Sequence, residues 1–548
     1  MFETACLGLA LALGLAHAST PSSSSDAKSA GEKLPISGLM RAKLVPGLCL
    51  VKYRVSTASP ECQEFFDQGL GYYYSYVWME AVRSFETATQ YDPECALAWW
   101  GLSRALERWG KGNPKQALQK ANDLRTGASH REQLLIRARV QEKGLSSDGD
   151  SKDKDKQAAI RTIDELLTLY DDDEEGWYYR AQLAGGSGLF GGQLSSAPFY
   201  KALWRINPLH PGANHELLHF YESQRRPALG WLYAENYIRS SPGIPHAFHM
   251  QAHLATRLGR WDKTSDRSAH AIELERAYHK QMNVQPKDDA QFSHHLEILT
   301  LSLIHDGRFH EASAIKEEAK RAGIHHWLPW FRLALAQRDW AEAFKVVDHF
   351  RKSDKPTASY LAALVYLKQG DLGKAAPEVE VLRNAYAEHK DNKTLEERLM
   401  ETQGVLLCRQ GACDTGLSLL AKIVDRTKND YSHHAWGNGS YLMEVWGIAA
   451  LHAHKVPTAE EAFLEALAHD PGSVRAALGL QVLCERLGRT EEARRYAELA
   501  QRNWRKADAP CLTAELLALR GESFSRAPPP PDGNGVGNAQ GSLRKKGR

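Results

Sequence analysis

A chain of 548 residues with 69 Lys and Arg against 67 Asp and Glu has a formal net charge of only +2. With 43% hydrophobic residues and a mean hydropathy of −0.47, this balance excludes an integral membrane protein, an acidic disordered chain and a strongly basic nucleic-acid binder. The length exceeds what a single hydrophobic core organises, so several domains or a repeat array are expected. Histidine is the outlier, with 23 copies against 7 Met, and the copies are clustered.

The first predicted element is a signal peptide over 1–18. The run LGLALALGLA (7–16) is apolar but too short to span a bilayer, and Ala16 and Ala18 satisfy the small-residue cleavage rule. The run is preceded by Glu3 and by no Lys or Arg, so an uncleaved apolar helix is the alternative. Export to a periplasmic or extracellular space is the expectation. Residues 19–58 read as a Ser-rich linker and N-terminal segment, and 521–548, rich in Pro and Gly, as a disordered tail ending in a few basic residues. Removing the signal would leave seven of the eight cysteines, an odd number with no CxxC spacing, which excludes a cysteine zinc module. Cys408–Cys413 and Cys49–Cys62 are candidate disulfides.

Between these ends the pattern is helical. With Cys62 as position 1 of a 34-residue unit, Phe65, Gly69, Tyr72, Ala81, Phe85, Ala88 and Pro93 fall at positions 4, 8, 11, 20, 24, 27 and 32. Small residues sit where two helices approach closely, aromatic residues fill the groove between them, and Pro ends the second helix. These are the signature positions of the tetratricopeptide repeat, which the segment resembles. Similar punctuation recurs at Gly307-Arg308-Phe309, Gly370-Asp371-Leu372 and Gly488-Arg489-Thr490, each a helix stop before an alanine-centred helix. No long alternating β pattern occurs. The expected fold is all-α, a tetratricopeptide-like right-handed solenoid of nine to eleven hairpins. Its regions are N-terminal hairpins over 59–140, a charged mobile insert at 141–158, a central region with the histidine cluster over 159–320, and C-terminal hairpins over 321–520. GGSGLFGG (185–192) reads as a flexible loop; without a following Lys-Ser/Thr it is no phosphate-binding loop.

The histidine cluster is where chemistry is expected. NPLHPGANHELLHFYE (207–222) and SPGIPHAFHMQAHL (241–254) supply His210, His215, His219, His246, His249 and His253. At 100° per residue, His215 and His219 lie about 40° apart on a helix, and His246, His249 and His253 span about 60°. Each stripe follows a Pro-containing turn, Pro211 or Pro245, so each should occupy the first helix of a hairpin. Neighbouring first helices could gather five or six imidazoles around one centre suited to a transition metal, Cu, Zn or Fe. Imidazoles bind metal only when neutral, so affinity should fall as pH drops through about 6.5. Packing and hydrogen-bonded turns are the alternative, and they account for most of the other histidines, including the His325-His326 and His433-His434 pairs.

His215-Glu216-Leu217-Leu218-His219 is also a literal HExxH. In zinc proteases the two histidines bind metal and the glutamate, here Glu216, is the general base. No further metzincin element follows; Glu235 is the available third ligand.

HPGANHELLH followed by IPHAFHMQAHLATRLGRWD resembles a family of bacterial, often exported tetratricopeptide-repeat proteins. Its pattern is HPGAxHxxIH, then GHxxHMPxHIxxRxGxW/Y, then HNxHF. The match covers His210, Pro211, Gly212, Ala213, His215, His219, His246, His249, Met250, His253, Arg257, Gly259 and Trp261. The resemblance extends from about residue 60 to 510. It implies that His294 takes the place of the first histidine of the third element, with Glu297 in place of the second, and that Glu216 is a local substitution for an aromatic residue. Gln251 departs from the family's proline. The resemblance assigns no reaction, and three functions stay open. The first is an exported repeat protein with a histidine metal centre in its concave groove. The second is a scaffold that binds a protein or peptide on that surface, without catalysis and without nucleic acid or a transmembrane segment. The third is an HExxH hydrolase. The candidate metal ligands are His210, His215, His219, His246, His249, His253, His294 and Glu297.

Overall fold

The structure, a computed structural model, describes residues 33–145, 152–185, 194–430 and 438–521. The expected signal peptide, most of the glycine-rich loop, the centre of the charged insert, His433-His434 and the tail beyond 521 lie outside the described residues.

Among the described residues are twenty-five α-helices and no strand, only an isolated bridge between Lys33 and Met40. The helices are α1 (Pro60–Tyr74), α2 (Trp78–Tyr91), α3 (Ala96–Trp109), α4 (Pro114–Asp123), α5 (His130–Glu142), α6 (Lys152–Leu169), α7 (Glu174–Ala184), α8 (Ala197–Ile206), α9 (Pro211–Ser223), α10 (Pro227–Ser240), α11 (Pro245–Arg257), α12 (Trp261–Met282) and α13 (Ala290–His305). They continue as α14 (Phe309–Arg321), α15 (Trp327–Gln337), α16 (Trp340–Arg351), α17 (Lys355–Gln369), α18 (Leu372–Glu388), α19 (Lys393–Arg409), α20 (Cys413–Thr427), α21 (Tyr441–His452), α22 (Val456–His469), α23 (Val474–Arg486), α24 (Thr490–Asn503) and α25 (Cys511–Arg520). The expected all-α fold is thus present, and consecutive helices pack as hairpins from α1–α2 to α9–α10 and from α15–α16 to α23–α24. The chain divides into two compact units. The first holds the described residues up to Leu254 with Arg267–Phe292; the second holds Ala255–Asp266 with the described residues from Ser293 on. No described helix is long and apolar enough to cross a membrane.

Local chemistry sets the helix ends. Ser59 caps α1 by accepting from the Cys62 amide, with Pro60 in the first turn. Ser129 and Glu132 form a reciprocal capping box on α5. Asp339, Asp354, Asp371 and Asn392 cap α16 to α19 in the same way. α6 begins at Lys152, inside the stretch expected to be a mobile insert; Lys and Gln are good helix formers, so charge alone does not stop a helix there.

The packing inside a repeat rests on one aromatic ring between two glycines. A Cβ at Gly69 or at Gly101 would lie 2.7 Å from the Phe85 ring, so only glycine lets α1 and α3 close on it. The same arrangement recurs in the second unit, where Phe463 fills the space between Gly447 and Gly479. Both sets have the same sixteen-residue spacing. In the first unit Arg104 is buried: its guanidinium lies 4.2 Å from the Trp100 ring and 4.5 Å from Tyr73, and it pairs with buried Glu175 at 2.7 Å. In the second unit Trp261 donates to both oxygens of buried Asp470, at 3.2 and 3.1 Å, and Trp504 donates to the His305 carbonyl at 2.7 Å.

Residues 33–58, grouped with the linker by composition, pack into the first unit. Leu34, Leu48, Val51 and Val55 are buried. Lacking a helix of its own, this extended strap hands its backbone polar groups to helix side chains. Gln68 accepts from Val45 N at 2.9 Å and donates to Lys43 O at 3.1 Å; Gln63 does the same with Val55 N and Tyr53 O, at 3.0 and 2.8 Å. All seven described cysteines are free thiols, so neither candidate disulfide forms. Cys408 and Cys413 face each other's carbonyls across the α19–α20 turn, and Cys49 faces the Ser241 hydroxyl.

Candidate metal centre

The two histidine stripes occupy α9 and α11, each opening on a proline, as their sequence requires. In α9, His210 is the N-cap: its Nδ1 accepts from the Ala213 amide at 3.1 Å. The fully buried ring lies against Tyr74 and Tyr178, with centroids 4.8 and 6.0 Å away. Burial pushes its pKa down to about 3. His210 therefore ends a helix; it stands outside the imidazoles that converge, because capping uses its Nδ1.

His215 and His219 follow, one turn apart, and meet His246 from the start of α11. The Nε2 atoms of His219 and His246 each lie 3.1 Å from Nε2 of His215, and all three lie within 4.8 Å of one another. Nδ1 of His215 is 2.6 Å from the backbone oxygen of Tyr74 in α1. A carbonyl only accepts, so Nδ1 carries the proton and Nε2 presents its single lone pair to the other two rings. Transition-metal bonds to imidazole of about 2.0–2.1 Å put cis nitrogens about 2.9–3.4 Å apart for angles between 90° and 110°. The observed separations fall in that range.

The surroundings keep two of these rings neutral. His215 is fully buried, and its pKa is held well below the ordinary value by desolvation first and then by the neighbouring His219 and His253. Burial brings His219 down to about 4. Both imidazoles therefore stay neutral below the pH of about 6.5 at which an exposed ring takes up a proton. Tyr237 stacks on His215 at 4.9 Å, and Tyr76 covers the group, 4.5 Å from His215 and 5.9 Å from His219. Tyr76 holds a left-handed backbone (φ 60°) in the α1–α2 turn, uncommon for a bulky residue and a sign of local strain.

Glu216 is turned from these nitrogens toward phenols: its Oε1 accepts from Tyr76 at 2.8 Å and from Tyr178 at 3.3 Å. The carboxylate expected as the general base of an HExxH site is thus held by two tyrosine hydroxyls. Glu235 accepts from Trp231 Nε1 at 2.8 Å on the exposed side of α10. His249 and His253 form a separate pair on α11, with Nε2 atoms 2.8 Å apart, and His253 Nδ1 is 3.3 Å from Glu222 Oε1. The expected single centre of five or six imidazoles is thus divided within the first unit. His294 and Glu297 belong to the second unit, one turn apart on α13, with 3.9 Å between Nδ1 and Oε2.

Sequence reading missed Tyr74, Tyr76 and Glu222. The YYYSY run was absorbed by the repeat signature. Glu222 was detectable, because it lies three residues past His219 on the face that the α9 histidines share.

Comparison with curated proteins finds no match. Among solved structures, the chain is similar to yeast Tom70 (13% identity, 83% of this chain and 98% of that one, TM-score 0.33). It is also similar to human IFIT1 in a dimer with m7Gppp-AAAA (14%, 83% and 92%, TM-score 0.27) and to a chain of the APC/C hetero-tetramer Cut9–Hcn1 (10%, 84% and 90%, TM-score 0.31). The tetratricopeptide repeat family profile matches residues 66–130, 328–387 and 445–508. Over these three stretches, on an all-helical frame, the chain is built of tetratricopeptide repeats.

Proposed function

We propose that this protein binds a transition metal ion, Cu, Zn or Fe, through Nε2 of His215, His219 and His246, on an exported tetratricopeptide-repeat scaffold. The observation that carries the reading is the crowding at His215. One lone pair faces two ring nitrogens at 3.1 Å each, and one lone pair serves one good donor. An ion among the three satisfies all of them at once. The Tyr74 carbonyl behind His215 supplies the outer-sphere hydrogen bond that ligating imidazoles use to fix their tautomer. Three protein ligands leave at least one coordination position for water or substrate, the condition for hydrolytic or redox chemistry. The apolar run before Ala18 supports export.

The second reading, a scaffold that captures a protein or peptide, is favoured by the three repeat matches. In that case substituting the histidines leaves capture unchanged. The HExxH hydrolase is disfavoured by the tyrosine contacts of Glu216. Metal analysis after reconstitution and dialysis separates the readings. The wild-type chain is expected to retain metal, and His215→Ala and His246→Ala to lose it while keeping their helical content. A wild-type chain that returns metal-free refutes the metal reading.

A further inference from the structure

The first unit carries more imidazoles than one ion uses, and their placement is ordered. Along α11, His246 and His253 are two turns apart, about 10 Å of helix axis. His246 points its Nε2 at His215, whereas His253 points its Nε2 at His249, 2.8 Å away. The two groups adjoin, with the His246 and His249 rings 5.6 Å apart between centroids.

Behind His253 stands an acceptor, as behind His215. Glu222 Oε1 lies 3.3 Å from His253 Nδ1, and a carboxylate oxygen there places the proton on Nδ1 and turns the Nε2 lone pair toward His249. α9 thereby serves both groups, with His215 and His219 as ligands of the first and Glu222 one turn on as the support of the second. Such a carboxylate–imidazole pair is the usual outer shell of a metal-bound histidine. Two nitrogens 2.8 Å apart on bonds of about 2.0–2.1 Å subtend about 85–90° at an ion. That is the cis angle of square-planar or tetragonal nitrogen coordination, which Cu(II) and Ni(II) prefer.

We propose that His249 and His253 form a second metal position, oriented by Glu222, so that this face of the first unit holds two transition metal ions side by side. The inference rests on the reading that the histidine face binds metal. Glu222 is a positioning residue: it acts on the ion through the His253 ring.

The test is Cu2+ loading of the full chain followed by dialysis, with copper counted as the number of equivalents lost on substitution. His215→Gln and His253→Gln are each expected to lose one equivalent relative to wild type, and the double variant two. Glu222→Gln is expected to keep the first equivalent and to weaken the second about 10–100-fold, as for other outer-shell changes. Because a variant can misfold, electron paramagnetic resonance of the wild-type chain gives an independent reading. Two neighbouring Cu(II) ions produce dipolar broadening and a half-field signal that one ion cannot. Loss of copper in His215→Gln with none in His253→Gln, and no spin coupling, overturns the second position and leaves the first. One equivalent lost alike in both single variants and in the double overturns it in favour of a shared ion. No copper retained by the wild type overturns both readings.

Discussion

The proton on His215 is placed by a main-chain carbonyl 141 residues away in sequence, and that one contact decides which nitrogen faces His219 and His246. The spacing of the histidines was legible because ligands on one helix face repeat every three or four residues. Which of them converge was not, because the answer depends on Tyr74 and on the cap made by His210. His210 and His215 belong to the same HPGAxH stretch yet do different things. His210→Ala removes the Nδ1 that accepts from Ala213 and is expected to cost about 1–2 kcal/mol of stability while leaving the bound-metal count unchanged. Equilibrium unfolding and metal analysis of the same preparation check both halves, and a lost metal equivalent would return His210 to the ligand set. Tyr76→Phe deletes the hydroxyl that donates to Glu216 at 2.8 Å and leaves the buried carboxyl with one donor fewer. A loss of about 1–3 kcal/mol is expected, again with metal retained. If Glu216 were instead the base of an HExxH site, this change would alter hydrolysis and not stability.

At the scale of helices, the repeat was readable because its chemistry is local. Gly, aromatic and Ala positions recur at fixed offsets, and caps mark the ends. Gly101→Ala puts a methyl group 2.7 Å from a ring that Gly69 already confines from the other side. The ring has nowhere to move, and destabilisation of about 1–3 kcal/mol, seen as a lower denaturant midpoint with unchanged slope, is expected. Arg104→Met strips the guanidinium from buried Glu175, whose carboxyl burial raises to about 8; it stays protonated near neutral pH, and the lost hydrogen bond is expected to cost about 1–3 kcal/mol, read as a lower denaturant midpoint. The strap over 33–58 escaped notice for the opposite reason. It has no periodicity of its own, and its hydrogen bonds go to Gln63 and Gln68, side chains that the repeat signature leaves unassigned. The start of α6 at Lys152 was missed because a charged run without apolar spacing looks like a loop, although its residues tolerate a helix.

For the whole molecule, buried titratable groups in both units set the pH range of the metal-free fold. In the first unit burial lowers His210 to about 3, and in the second burial, with Arg332 and Arg475 nearby, lowers His305 to about 3. Below pH 6.5 the unfolded chain takes up protons that these folded imidazoles refuse, so their contribution to stability declines as pH falls from about 6.5 toward 3. Asp470 works in the other direction. Burial, followed by the charge of Glu444, raises it to about 7, so the folded chain keeps a proton that the unfolded chain gives up above about 3.9. Its contribution is complete below that value and is lost as pH rises through about 7. Asp470→Asn keeps an oxygen to accept from Trp261 and Gly472 and removes the titration. The variant is therefore expected to gain on the wild type progressively between pH 4 and 7, by up to about 4 kcal/mol. Chelator-treated protein, unfolded in urea at intervals of pH, gives the two curves. Curves that stay parallel across this window would show that Asp470 is already ionised in the folded chain, and that the Trp261–Asp470 contact is a charge-assisted bond at every pH tested.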